Sequence, residues 1–235
     1  MAPLSVTDLS EWFDPFLKYF MRETLRSGGE VVVAGDGRVV RGVFLHDPVE
    51  RVASIFTRSQ AVANAFYGLR DHVAVYSELP LGSARENFDI FVVNLADGDI
   101  PYTYSHTVRA VRDEDRVPIL ALMTAIYGRF NGAWLGPAFQ GTEKGYLAEV
   151  DGRPVGAAWV SAVEAHGRLH SLSVLPRYRR LGIGSDLWHA RVQWARRNGV
   201  RRIFSEIPED NVASRAIAVR GGMRRVGLAF QCVRP

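Results

Sequence analysis

A basic, glycine-containing segment between an apolar run and a helix is the part of this sequence best suited to chemistry. Arg179-Arg180-Leu181-Gly182-Ile183-Gly184 follows LSVLP and opens a helix whose apolar face carries Leu187, Trp188, Val192 and Trp194. Glycine has no Cβ and tolerates positive φ, so successive backbone N–H groups can turn toward one ligand at the positive end of the helix dipole. The neighbouring arginines add charge-assisted hydrogen bonds. The segment therefore predicts a cradle for a phosphate-bearing ligand.

The spacing of the glycines limits which class of phosphate-bearing ligand the segment can bind. A P-loop needs GxxxxGK[ST], which is absent, and the dinucleotide fingerprint needs a third glycine where Leu187 stands. The pattern that fits is [R/Q]xxGx[G/A], at Arg179, Gly182 and Gly184, after a strand ending in V-x-P. This segment resembles the acyl-CoA signature of the GCN5-related N-acetyltransferase (GNAT) superfamily.

The flanking sequence extends the resemblance over residues 107–235. Downstream, Glu206-Ile207, Asn211 and Gly222-Met223 resemble the second signature of the family, and upstream 107–120 and 145–160 resemble its opening strand, helix and hairpin. The resemblance implies an α+β GNAT fold: a mixed, mostly antiparallel sheet with flanking helices, splayed at the acyl-CoA site. It also implies direct transfer of an acetyl group from acetyl-CoA to an amine.

The resemblance further implies which residues bind the co-substrate. The pyrophosphate would lie on the N–H groups around 180–185, the pantetheine arm would pair with the backbone of 172–174, and the N–H of Val174 would stabilise the thioester oxyanion. The residues assigned in this way to acetyl-CoA are Leu172, Ser173, Val174, Arg179, Arg180, Leu181, Gly182, Ile183, Gly184, Ser185, Asn211 and Ser214. Asp186 and His189 are expected on the polar side of the same helix.

Two residues compete for the role of general base that removes the amine proton. His170 precedes the loop, in phase with Leu172 and Val174 under period-2 alternation, and LHSLSV resembles the HxL strand of arylalkylamine acetyltransferases. Glu206 ends the next strand and corresponds to the base of the ribosomal-protein alanine acetyltransferases. The choice between Glu206 and His170 stays open, and each also has a structural interpretation.

One departure from the family pattern concerns the general acid. The tyrosine that commonly protonates the CoA thiolate falls at Ala218, which has no proton to give, and the replacements considered are Tyr178, Tyr146, Ser214 and solvent. This departure favours an alternative function, a non-catalytic GNAT-like module that binds acyl-CoA or regulates a partner.

Periodicity and turn residues predict the elements that position this site. For the second half they predict strands at 106–111, 145–150, 153–163, 168–175, 200–207 and 223–233, and helices at 115–128, 183–198 and 211–220. The second and third of these strands meet at Asp151-Gly152, which predicts a hairpin turn. The loop 129–142 between them carries Trp134 and Phe139, which are candidates either for packing on the core or for lining the acceptor pocket.

The first half, residues 1–106, predicts a smaller α+β domain. The pattern of this half gives a helix after Asp14-Pro15, three strands within 30–57, a helix from Ser59 to Arg70 and strands at 72–78 and 88–95. This order resembles a truncated, degenerate GNAT half without the acyl-CoA signature. This half carries 9 basic and 14 acidic residues, whereas 107–235 carries 20 and 11. We therefore predict an accessory domain at 1–106 on the acceptor side, where a net acidic surface suits a cationic amine, and the acetyltransferase domain at 107–235.

Composition excludes several other classes. A single cysteine, Cys232, rules out an internal disulfide framework and fits a reducing cytoplasm. The sequence shows no signal peptide, no transmembrane span and no metal-ligand spacing, and its arginine-rich turns carry no nucleic-acid recognition motif. The expected partner is an amine, as a small molecule or on a peptide, with no nucleic acid, membrane or metal, and the expected state is a monomer or homodimer.

Overall fold

The computed structural model describes residues 13–35, 40–48, 51–71, 74–77, 79–82, 84–95, 101–128, 139 and 143–232. The helices of this described part are α1 (Phe13–Arg26), α2 (Gln60–Tyr67), α3 (Arg116–Tyr127), α4 (Ile183–Arg197) and α5 (Val212–Arg220). Its strands are β1 (Glu30–Gly35), β2 (Val40–Asp47), β3 (Val52–Thr57), β4 (Ala74–Ser77), β5 (Ala84–Asn94), β6 (Thr107–Ala110), β7 (Lys144–Val150), β8 (Arg153–Val163), β9 (His166–Val174), β10 (Arg202–Pro208) and β11 (Arg224–Cys232).

The structure divides into two compact units, each assembled from separate stretches of chain. The first comprises Met1–Val92, Glu206–Asn211 and Arg225–Pro235, and the second comprises Val93–Ser205 and Val212–Arg224. The boundary predicted between residues 106 and 107 stays a prediction.

The first unit is built on an antiparallel meander, β1-β2-β3, followed by α2 and by β4, which pairs with β3 in parallel. The last strand of the chain, β11, pairs antiparallel with β4, with Phe230 opposite Ser77. A buried cluster that includes Phe44, Ile55, Phe66 and Cys232 fills the unit beneath α2. Burial of each such large apolar side chain contributes about 1.5–3 kcal/mol.

The second unit repeats this order of elements. Strands β7, β8 and β9 form an antiparallel meander, α4 follows, and β10 then pairs with β9 in parallel. Helix α3 packs on Leu147, Ala157 and Trp159, whereas α4 packs on Ala148 and Ala158. Because neighbouring residues of a strand point to opposite faces, the two helices cover opposite faces of the sheet.

The predicted order of helices and strands is confirmed in both halves, with ends that differ by a few residues. The helix predicted from Ser59 to Arg70 ends earlier, at Tyr67, and the hairpin predicted at Asp151-Gly152 is present, with φ of 49° and 69° at these two residues. Positive φ at both positions is the geometry of a type I′ turn. Among the described helices, none combines the length and the apolar character that crossing a bilayer requires.

Candidate functional site

The glycine segment forms an open turn between β9 and α4. The chain leaves β9 at Val174, passes through a short 3-10 turn at Pro176–Tyr178, and enters α4 at Ile183. Arg180 and Gly182 both have left-handed backbones, with φ of 67° and 93°. Gly182 is the N-cap of α4, and it has no side chain to accept a hydrogen bond from the first turn. The start of the helix is therefore left without an internal cap.

The backbone donors of this turn are available to a ligand. Gly182 O accepts from the N–H groups of Ser185 and Asp186, at 2.8 and 3.1 Å, and so closes the first helical bonds. Within the described part of the chain, no acceptor is found for the backbone N–H groups of residues 180–184. Such donors at the positive end of a helix dipole bind anions.

Arginine side chains surround the turn. Arg177, Arg179 and Arg180 are all exposed to solvent. Arg179 Nε donates to Val174 O at 3.1 Å, and the Arg177 guanidinium lies 5.0 Å from the centre of the Tyr178 ring. The turn thus combines unpaired backbone donors with exposed positive charge, which is the chemistry that the sequence predicts for a phosphate cradle.

Strand β9 carries a β-bulge just before this turn. Ala157 lies opposite Ser173 but Trp159 lies opposite His170, so two residues of β9, Ser171 and Leu172, face the single residue between them on β8. Ser171 has φ of 53°, a left-handed backbone in the middle of a strand. A bulge of this kind bends the strand and changes the direction of its side chains.

The bulge makes one prediction wrong. His170 was expected in phase with Leu172 and Val174, but the register places it on the face of Ser173 and Trp159. Leu172 and Val174 instead pack against the cluster of Ile183 and Leu187 under α4. The extra residue shifts the period-2 alternation by one position, so His170 faces the side of the sheet covered by α3.

The register also gives the direction of the Val174 backbone. Leu175 N donates to Val155 O at 2.9 Å, which makes 155 and 175 a hydrogen-bonded pair. Hydrogen-bonded and non-hydrogen-bonded pairs alternate along an antiparallel ladder, so the neighbouring pair of Gly156 and Val174 exchanges no backbone bonds. The N–H of Val174 therefore points away from β8, toward the open edge of β9.

That edge opens because β9 and β10 pair over a short length. Their register runs from Arg202 opposite His166 to Phe204 opposite Arg168, and Ser205 Oγ then donates to Leu169 O at 2.9 Å. In the residues that the structure describes, the register goes no further, although β9 continues to Val174. The edge of β9 from His170 to Val174 is therefore left open, as the resemblance implies.

His170 has a carboxylate partner that the sequence analysis did not identify. Its Nε2 lies 3.3 Å from Glu143 Oε1, and its Nδ1 lies 3.1 Å from Ser171 Oγ. The two side chains are only 13% and 18% exposed. A carboxylate this close restricts the orientation of the imidazole ring. The sequence held no signal for the pair, since Glu143 directly follows the predicted loop 129–142.

A second polar contact lies on the same face of β9. Tyr127 Oη, at the end of α3, lies 2.7 Å from Ser173 Oγ. Phe139 packs against the cluster of Leu147 and Trp159, and its ring lies 4.5 Å from the Arg116 guanidinium. Trp134, the other aromatic residue predicted for the acceptor pocket, lies outside the described residues.

Asp186 corrects another expectation. It was placed on the polar side of α4, but its exposed fraction is 0%. Tyr102 Oη donates to it at 2.7 Å, the Ser105 N–H donates at 3.3 Å, and His106 Nδ1 lies at 2.7 Å. Segment 101–106 thus covers this side of the helix. Burial, and after it the bond to Asp186, raises the pKa of Tyr102.

The remaining predicted residues are spread over both units. Glu206 is partly buried on β10, in the part of that strand that belongs to the first unit, and Asn211 is exposed just before α5. Ser214 is partly buried and Ala218 is buried, both on α5. Burial raises the pKa of Tyr146, on β7, to about 12, which makes its phenol a weaker acid than an exposed one.

The described residues contain no group of three or more His, Cys, Asp or Glu side chains that could hold a metal ion.

Comparison with known proteins places this geometry in a family. Residues 114–231 match the acetyltransferase (GNAT) family. No curated protein sequence matches the chain. Among solved structures, a GCN5-related N-acetyltransferase from Kribbella flavida is similar at a TM-score of 0.65 and 16% identity, with 96% of this chain and 97% of that chain covered.

Two further structures have the same fold. A GCN5-related N-acetyltransferase from Sphaerobacter thermophilus has a TM-score of 0.61 at 16% identity, covering 86% of this chain and 78% of that one. A tandem GNAT protein from the clavulanic acid biosynthesis pathway has a TM-score of 0.55 at 17% identity, covering 99% and 98%.

The chain belongs to the acetyltransferase (GNAT) family, whose members are in general acyl-CoA-dependent N-acyltransferases. Its fold is the α+β GNAT fold, and the tandem relative fits the repeated order of elements in the two units.

Proposed function

We propose that this protein is an N-acetyltransferase that moves an acetyl group from acetyl-CoA directly to an amine. The observation that carries the proposal is the uncapped start of α4 beside the bulged, splayed strand β9. The five backbone N–H groups of 180–184 have no acceptor within the described residues, and Arg177, Arg179 and Arg180 lie around them. A pyrophosphate satisfies these donors, and the open edge of β9 suits the extended pantetheine arm that follows it.

The residues present fit acetyl-CoA as a substrate. The N–H of Val174 points to the open edge, where it would donate to the thioester oxygen as negative charge develops. The amine nitrogen forms its bond to the acetyl carbon, the carbon–sulfur bond breaks, and the amine proton passes to a base on the protein. Asn211 and Ser214, assigned to acetyl-CoA from the resemblance alone, stay predictions.

For the base, the geometry favours His170. Glu143 lies 3.3 Å from its Nε2, and a carboxylate partner stabilises the imidazolium that forms when the amine proton is taken up. Glu206 stays the alternative base, because its place at the end of β10 carries the resemblance to the alanine acetyltransferases. Orientation of an imidazole by a carboxylate is a recurrent arrangement in general-base catalysis.

Three variants separate the two bases. Replacement of the true base should lower kcat/KM by about 10²–10⁴-fold at neutral pH, with partial recovery at high pH as the amine loses its proton unaided. If His170 is the base, His170→Gln loses the acidic limb of the pH–rate profile, and Glu143→Gln lowers kcat/KM but keeps this limb. Glu206→Gln then keeps the wild-type profile, and loss of the limb in Glu206→Gln alone would assign the role to Glu206.

The departing thiolate needs a proton that Ala218 cannot supply. We propose Tyr127 as the donor, because its phenol is held 2.7 Å from Ser173 Oγ, next to Val174. Its O–H bond breaks, the proton goes to sulfur, and solvent restores the phenol. Tyr127→Phe should lower kcat about 10-fold or more and flatten the basic limb of the profile, whereas Tyr178→Phe, the control at the cradle, should not.

A second candidate function has its own observation. Ala218 is buried at the position of the usual tyrosine, as expected for a module that binds acyl-CoA without turning it over. Titration calorimetry with acetyl-CoA, followed by a turnover assay on a panel of small amines, polyamines and peptide N-termini, tests both. Binding with turnover supports the transferase, binding with no turnover on any amine supports the module, and no binding contradicts both.

A further inference from the structure

A buried arginine of α4 lies directly behind the bulge of β9. Arg191 is 2% exposed. Its Nη1 donates to two carbonyl oxygens, Trp159 O at 3.2 Å and His170 O at 3.3 Å, and its Nε donates to Leu187 O at 3.2 Å on its own helix. Trp159 and His170 face each other across β8 and β9 as the first pair beyond the bulge. One guanidinium therefore ties α4 to both strands at that point.

The charge of Arg191 is buried without a carboxylate beside it. In the described part of the chain, no carboxylate lies within ion-pairing distance of Arg191. Burial lowers the pKa of its guanidinium to about 9, so the group remains charged at neutral pH and bears the cost of desolvation. In return, the guanidinium supplies directional donors for carbonyl oxygens from two strands.

Both carbonyl oxygens lie at the margin of the bulge, where the regular ladder is locally disrupted. A guanidinium that donates to both fixes their positions relative to α4. Arg191 donates to the two carbonyl oxygens at the margin of the bulge. Its own helix, α4, begins two turns earlier, at the glycine turn proposed as the phosphate cradle.

We propose that Arg191 is a positioning residue, which locks the β9 bulge against α4 and thereby sets the directions of the His170 side chain and the Val174 N–H. The inference rests on the proposed function, since it assigns to those two groups the roles of base and oxyanion donor. It predicts that loss of Arg191 impairs the chemical step more than the binding of acetyl-CoA, because the donors at 180–184 do not depend on it.

The test uses Arg191→Met and Arg191→Lys, with Val192→Ala as a control. Val192 is buried on the same helix, and its truncation weakens the packing of α4 without removing a donor from the bulge. Hydrogen–deuterium exchange is measured on the whole chain, and calorimetry with acetyl-CoA and steady-state kinetics use the amine that the wild type acetylates fastest.

In Arg191→Met we expect kcat to fall about 10–100-fold, the scale of a misplaced catalytic group, while the Kd for acetyl-CoA changes by less than about threefold. Amides in 168–174 should exchange at least about tenfold faster, and those of the hairpin 144–155 should not change. Arg191→Lys should recover part of kcat, because an ammonium still donates to carbonyls. In Val192→Ala, the melting temperature should fall but kcat should not.

The proposal is overturned if Arg191→Met keeps the wild-type kcat and exchange pattern, or if kcat falls equally in Val192→Ala. It is also overturned if neither arginine variant folds, because Arg191 is then required by the unit as a whole. If the wild type binds acetyl-CoA but acetylates no amine, the proposed function fails, and the exchange data still decide whether Arg191 holds the bulge.

Discussion

The two units each place a helix after the third strand of a meander, and the two junctions differ in how that helix begins. In the first unit β3 passes to α2 through two residues, 58–59, and in the second β9 passes to α4 through the eight residues 175–182. Ser59 caps α2, and its side chain accepts from Val62 N at 3.4 Å. Gly182 at the start of α4 has no side chain to do this. The first helix start is closed by its own sequence, and the second is left open.

The strands leading into the two junctions differ in the same way. The register of β2 with β3 runs without a shift from Gly42 opposite Thr57 to Asp47 opposite Val52. The register of β8 with β9 contains the bulge at Ser171. Two copies of one topology thus differ at this junction: in the first unit a side chain caps the start of the helix, and in the second unit none does. This difference supports the proposal that the second junction is the functional one.

The largest effect is expected from closing the open junction. Gly184→Asp places a carboxylate among the donors of the cradle, where its charge repels a pyrophosphate. The added Cβ would approach the flexible end of Ile217 at 2.7 Å, which a small shift of that side chain relieves. Loss of two charge-assisted hydrogen bonds weakens acetyl-CoA binding by about 10²-fold or more. Calorimetry on the folded variant measures this.

The matched control lies at the equivalent position of the other junction. Ala61 is the second residue of α2, as Gly184 is of α4, and it is exposed. Ala61→Asp should leave the affinity for acetyl-CoA unchanged. If Gly184→Asp binds as tightly as the wild type, or if both variants weaken binding equally, the contrast between the junctions is not functional.

The start of α3 tests whether a capped helix N-terminus contributes to the stability of the fold. Arg109 binds both oxygens of Asp115 at 2.7 Å, and Asp115 accepts from the Arg112 N–H at 2.8 Å. The bond from Arg109, before all other causes, lowers the pKa of Asp115 below its usual 3.8. Asp115→Asn should reduce the free energy of unfolding by about 1–3 kcal/mol at pH 7.

The direction of the pKa shift sets the pH dependence. A carboxyl with a lowered folded pKa contributes stability that is complete above its unfolded value and is lost as the pH falls through the folded value. In urea unfolding, the difference between the wild type and Asp115→Asn should therefore shrink as the pH falls from above the unfolded Asp pKa through the lowered folded pKa. Asp113→Asn, at an exposed position of the same turn, is the control and should change the free energy of unfolding at pH 7 little.

A smaller effect is expected from alanine at the glycines that flank the two ends of α4. These substitutions separate the cost of backbone strain from the loss of ligand binding. Gly182 and Gly199 both have positive φ, 93° and 76°, and a Cβ would meet no atom closer than 3.9 Å at either. Alanine at each position should cost about 1–2 kcal/mol of stability, because an L-residue resists this conformation. Only Gly182→Ala should weaken acetyl-CoA binding. Equal loss of affinity in both variants would attribute it to general destabilisation.

The smallest effect is expected from removing the side-chain cap at the start of α2. Ser59→Ala removes the side-chain acceptor of α2 and should cost about 0.5–1 kcal/mol, at the low end for an N-cap because the bond is long. Acetyl-CoA binding should stay at the wild-type level. If titration with pyrophosphate detects a new anion site at α2 in this variant, an uncapped helix start is sufficient for anion binding. Strand β9 and the arginines beside α4 would then not be needed for it.

Local features could be predicted from the sequence because neighbouring residues determine them. The glycine cradle, the turn at Asp151-Gly152 and the cap at Ser59 each depend on φ preferences or side-chain bonds within a few residues. The order of helices and strands follows from apolar periodicity for the same reason. The family resemblance rested on these local patterns and proved sufficient for the fold.

Features that join distant residues could not be predicted in this way. The bulge at Ser171 places the His170 side chain on the opposite face of the sheet from the one that strict alternation predicts. No local sequence pattern indicates the bulge, because a bulge depends on the partner strand. The contact of Glu143 with His170 and the burial of Asp186 under segment 101–106 likewise follow from packing. Arg191 does leave a signal in the sequence: it is a charged residue four positions after Leu187, on the apolar face of a helix.

The sequence by itself thus determined the family, the order of elements and the place of the glycine turn before α4. Only the tertiary structure decided which side chains share a face of β9, and which strand completes each unit. The pairing of β11 with β4 joins residues about 155 apart, as in Phe230 opposite Ser77. Such contacts form because buried backbone groups must find partners and apolar faces must be covered, and these requirements act on the folded chain as a whole.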